Sequence, residues 1–122
     1  MDKNLKELRI KFMMDVSIIP FFLDTKVENS DVSWKNIQYI IRMISKLSVG
    51  KVLKDDMIMK YYQNIEETFD ILLDINTEEF AFELGYYIDI LLENYVDFCV
   101  ERELFEQADN LNRLKNMIKQ YQ

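Results

Sequence analysis

Apolar positions recur along this chain at three- and four-residue intervals instead of alternating, which predicts helices and no strands. Over about 3 to 16, Leu5, Leu8 and Phe12 share one side, and Ile10, Met13 and Met14 broaden the stripe. Pro20 then interrupts regular hydrogen bonding, so the run IIPFF reads as a core-plugging turn or a short second helix. DTKVENSDVS reads as a loop.

A helix is predicted to begin near Ser33 or Asp31, either of which can cap it. Its buried stripe is Ile37, Ile40, Ile41, Ile44 and Leu47, and Gly50 suits its end because glycine tolerates the left-handed conformation that follows a helix. The pair Asp55 and Asp56 suits a helix N-terminus, and from there a helix runs to about Ile75 with Ile58, Tyr61, Tyr62, Ile65, Phe69 and Leu72 inward. Asn76 and Thr77 make the next break, with Thr77 as N-cap.

The longest helix runs from Glu78 to about Arg102. At 100° per residue, Ala81, Leu84, Ile88, Leu91, Leu92, Tyr95 and Cys99 form its core stripe. The stretch LFEQADNLNRLKNMIKQYQ makes the last helix, with Leu104, Ala108, Leu111, Leu114 and Ile118 inward. The segment FCVERELFEQADNL, with Phe105 three residues before Ala108, distantly resembles a tetratricopeptide turn and second helix, but the earlier positions of that repeat and a second copy are missing, so the family is not assigned. The sequence therefore predicts an all-α protein, a compact bundle of about five mostly antiparallel helices in a single helical domain, 1–122.

Composition agrees with a globular core: 49% of residues are apolar and 30% charged. The one cysteine, Cys99, falls on a core face, where a thiol is inert. Histidine is absent, which removes zinc-finger, haem, di-iron and His-based acid/base readings. No cofactor is expected. The N-terminal stretch lacks the pattern of a signal peptide and no stretch is a membrane span, so the expectation is a cytoplasmic protein with no membrane partner. Abundant Lys, Asn, Ile and Tyr suggest an AT-rich genome, bacterial or phage.

Charge changes the picture more. Residues 61 to 112 hold fourteen acids and one base, Arg102, whereas the first sixty hold eleven Lys/Arg and eight Asp/Glu. Within the long helix Asp89, Glu93 and Asp97 recur every fourth residue, and like charges at that spacing cost about 0.2–0.5 kcal/mol per pair. On the same outer side stand Phe82, Tyr86 and Ile90. Two explanations fit. Neighbouring helices cover the N-terminal half on both sides, with Arg42 and Lys46 offsetting the acids, or an exposed Phe/Tyr/Ile anchor rimmed by carboxylates binds a partner.

The second explanation makes Phe82, Tyr86, Asp89, Ile90, Glu93 and Asp97 the partner-binding residues. The protein is then a small acidic binding protein that inhibits or neutralises a basic protein, as immunity, anti-defence or regulatory factors do. Direct nucleic-acid binding is not expected, since phosphates need Lys or Arg. A self-associating adaptor or homodimer is the structural alternative, the outer patch pairing with itself or with the basic first half of a second copy. The catalytic alternative is a carboxylate-metal nucleotide hydrolase, using Glu66 or Glu67 with Asp70 opposite Glu93 and Asp97 on Mg²⁺ or Mn²⁺. That set superficially resembles helical nucleotide pyrophosphohydrolases, but the spacing of Glu93 and Asp97 departs from theirs and no bases stand nearby for a phosphate chain. Gly85 reads as a helix-crossing residue and Trp34 as a core residue.

Overall fold

Five helices account for the regular structure: α1 Lys3–Phe22, α2 Ser30–Lys46, α3 Asp55–Ile75, α4 Glu78–Glu101 and α5 Phe105–Lys119. The computed structural model describes residues 3–22, 30–47 and 51–119, the side chains of 16–22, 30 and 119 excepted. Among these residues there is no strand. The sequence pattern located α3, α4 and α5 closely and corrects in two places. First, α1 continues through Pro20 to Phe22 where a break was expected. Proline removes one amide donor and crowds the carbonyl four residues earlier, a local cost that the helix carries without ending there. Second, α2 begins at Ser30, inside the expected loop, so Ser33 lies within the helix and is buried. The remainder of that loop, Gly50 and the IIPFF side chains lie outside the described residues.

Helix α1 packs on α2, α2 on α3, α3 on both α4 and α5, and α4 most extensively on α5. One hydrophobic cluster receives residues from all five. Its content follows the sequence stripes: Leu8 and Phe12 from α1, all five predicted residues of α2, Ile58, Ile65 and Leu72 from α3, Leu84 to Cys99 from α4, and the predicted face of α5. Trp34 packs against it, half-buried, as do Tyr61, Tyr62 and Phe69. Ile10, Met13 and Met14 do not join it. They stand exposed, because they point away from Leu8 and Phe12 around the helix.

Polar groups fix the connections. The Thr77 hydroxyl accepts from the Phe80 amide at 3.2 Å, capping α4 as its sequence predicts. Ser33 Oγ accepts from Asn76 Nδ2 at 3.0 Å, tying the start of α2 to the end of α3. Asn110, buried on α5, holds the segment before α3: its Oδ1 accepts from Leu53 N at 2.9 Å and its Nδ2 donates to the carbonyls of Leu47 and Lys51. The turn from α4 to α5 is a Schellman motif, with Leu104 N donating to Cys99 O at 2.8 Å and Glu103 N to Val100 O at 3.1 Å. Glu103 has φ 60°, where glycine would be usual.

Candidate functional site

Helix α4 divides sharply into two faces. Leu84, Ile88, Leu91, Leu92, Tyr95 and Cys99 are buried, joined by Phe80, while Ala81 at the edge of the stripe is half-buried. On the opposite side Phe82 is 78% exposed and Tyr86 69%, with Ile90 following them one turn further on. The expectation that neighbouring helices cover this half on both sides is thereby corrected. Phe82 and Tyr86 are four residues apart, so their rings emerge one turn apart on the same side.

The carboxylates are distributed less evenly than their spacing suggests. Asp97 and Glu93 are exposed, whereas Asp89 is half-buried and its Oδ1 is shielded from solvent without a hydrogen-bond partner among the described residues. Lys115 of α5 places its Nζ 3.9 Å from Glu93, so the compensating charge comes from α5 and not from Arg42 or Lys46, both of which are exposed.

Phe82 also forms one wall of a groove of about 350 Å³ between α3 and α4. Tyr62, Ile65, Phe69 and Leu73 supply the α3 side, Ala81, Phe82 and Gly85 the α4 side, and Ile118 contributes from α5. Two small residues one turn apart, Ala81 and Gly85, keep this strip of α4 low, and the α3 aromatics stand beside it. The groove is therefore apolar inside, while Glu66, Asp70 and Glu78 line its edge. Sequence reasoning assigned Tyr62 and Phe69 wholly to the core and missed their second role. The available signal was the pair of small residues flanking Phe82.

Glu66, Asp70, Glu93 and Asp97 do not converge on a cation. Glu66 and Asp70 sit at the groove and Glu93 beside Lys115, and among the described residues no group of three or more acids or thiols could hold a metal ion.

The single base of the acidic stretch, Arg102, is engaged elsewhere. Its Nε donates to Glu7 Oε2 at 3.0 Å, its guanidinium lies 3.5 Å from the Phe98 ring centroid, and its carbonyl accepts from Asn4 Nδ2. Further along this seam between α1 and α4 the buried Tyr95 hydroxyl donates to Asp15, and the Phe12 and Tyr95 ring centroids are 4.1 Å apart. Burial, and then the nearby Asp15 carboxylate, pushes Tyr87 up to about 12, while burial followed by the bond to Asp15 raises Tyr95. The Cys99 thiol is pushed up to about 11 by burial, against a smaller lowering by Arg102. These groups hold helices together and leave the outer face of α4 without a cation of its own.

Comparison with known proteins gives no match to any family model, to any curated protein or to any solved structure.

Proposed function

We propose that this protein is a binding module whose α3/α4 surface takes a basic amphipathic segment of a partner protein and, by occupying it, restrains that partner. The observation that carries the reading is the exposure of Phe82 and Tyr86 on a helix whose other face is fully buried, beside an apolar groove edged by acids. Large aromatics in the open at the centre of a polar rim are the composition of binding hot spots. The surrounding fourteen-to-one excess of acids over bases in residues 61 to 112 selects a cationic partner and speeds encounter with it. Helix-in-groove docking requires anchors at i, i+3 and i+4 on the incoming helix, so leucines at those positions with lysines at the flanking ones would satisfy both floor and rim.

The test uses a lysine/leucine amphipathic helical peptide and the purified full chain. Wild type is expected to bind it at low salt, and Phe82→Ala with Tyr86→Ala to weaken binding by about thirtyfold or more, the scale of one hot spot. Equal binding by wild type and the double variant, or none by wild type, overturns the reading.

A further inference from the structure

The chain carries, on a different helix, a surface with the chemistry that the groove selects. On α1 the residues opposite Leu8 and Phe12 are Lys3, Lys6, Ile10, Met13 and Met14, all exposed, with Met13 at 71%. Two lysines lead and three apolar side chains follow, along about 17 Å of helix at 1.5 Å per residue. The α3 wall of the groove from Tyr62 to Leu73 extends over about 17 Å by the same measure, and so accommodates a helix of that length. Methionines adapt their shape to irregular apolar surfaces, which suits a groove walled by Tyr62, Phe69 and Phe82.

Within one molecule these two surfaces cannot meet. Helix α1 spends its other face on the core through Leu8 and Phe12, and is held to α4 by Glu7–Arg102 and Asp15–Tyr95, which leaves its basic face pointing outward. We infer that the α1 face of one copy docks on the α3/α4 groove of a second copy, so that the protein self-associates through a heterologous contact. Lys3 and Lys6 lie against Asp70 and Glu78, and Ile10, Met13 and Met14 against the apolar floor and Phe82. This inference rests on the reading of the groove as a site for a basic amphipathic helix, and it names a second copy of this chain as one occupant. The self-contact competes with any foreign segment for the same groove, so occupancy by a partner and assembly exclude one another.

Charge reversal tests it. Sedimentation velocity of the full chain over a rising concentration series is run for wild type, Lys3→Glu/Lys6→Glu and Asp70→Lys/Glu78→Lys, with circular dichroism verifying that each remains folded. Wild type is expected to sediment as larger species at high concentration in about 0.1 M NaCl and to revert toward monomer in about 1 M, as the Debye length falls from roughly 10 Å to roughly 3 Å. Each reversed variant alone is expected to stay monomeric, and an equimolar mixture of the two to associate again, because the contacts between them pair opposite charges. Monomeric wild type at every concentration, association untouched by either reversal, or a mixture that stays monomeric overturns the inference. Peptide titration on the same samples separates the two proposals: a monomeric wild type that binds the lysine/leucine peptide removes self-association alone, and one that binds neither removes both.

Discussion

One buried thiol and one half-buried phenol of α4 shape how stability responds to alkali. Cys99 and Tyr87 hold their protons more tightly folded than unfolded, with ordinary values of 9.0 and 10.0 raised to about 11 and about 12. Their contribution to stability is therefore complete below pH 9, and it declines as pH rises, through about 11 for the thiol and about 12 for the phenol. Chemical denaturation across this range is expected to give a flat free energy up to about pH 9 and a fall beyond it, and Cys99→Ala to remove the earliest part of the fall. The same burial leaves the native thiol unreactive toward disulfide reagents until the protein unfolds. The position of Cys99 on a core face was legible from helical spacing alone. The ion pair of Arg102 with Glu7 was not, because it joins residues 95 apart in the chain and no local pattern encodes it.

At the scale of elements, sequence periodicity was most informative where a helix has one strong stripe. Helix α5 and the core face of α4 were read almost completely, residue by residue. Periodicity failed at α1, where Ile10, Met13 and Met14 were read as widening the inner stripe although they lie on the other side. A helix apolar on two faces gives no periodic signal to say which face is inward, and that same ambiguity hid the basic Met/Ile surface. Capping chemistry was legible at Thr77 but not at the turn after α4, where Glu103 occupies a left-handed position without being glycine. Holding a side chain there costs about 1–2 kcal/mol, and the greater freedom of glycine in the unfolded chain returns part of it. Glu103→Gly is therefore expected to stabilise the protein by about 0.5–1 kcal/mol, read as a raised denaturation midpoint with unchanged slope.

For the whole molecule, the groove and the core are separable by mutation. Phe82 and Tyr86 place most of their surface in solvent, so Phe82→Ser/Tyr86→Ser is expected to change folding stability by no more than about 0.5 kcal/mol while weakening peptide binding by about thirtyfold or more. Thermal unfolding and titration of one sample decide this, and a large loss of stability would assign the two rings to structure. The sequence carried the α4 half of this surface through Phe82, Tyr86 and the acids. It did not carry the α3 half, since opposing walls come together only when two helices pack, and Tyr62 and Phe69 serve the core as well.

The two walls of the groove belong to consecutive helices separated only by Asn76 and Thr77. Bringing them together closes a very short loop, whose entropic cost is small and whose closure is fast. By contrast α1 reaches its neighbours on α4 across more than half the chain, at Glu7 to Arg102 and Asp15 to Tyr95. Assembly order follows from that difference in contact distance. The groove forms early and locally, and amide hydrogens of α1 should exchange through openings that leave those of α3 and α4 protected. A groove that outlives the detachment of α1 remains intact throughout the opening that sets the basic helix loose.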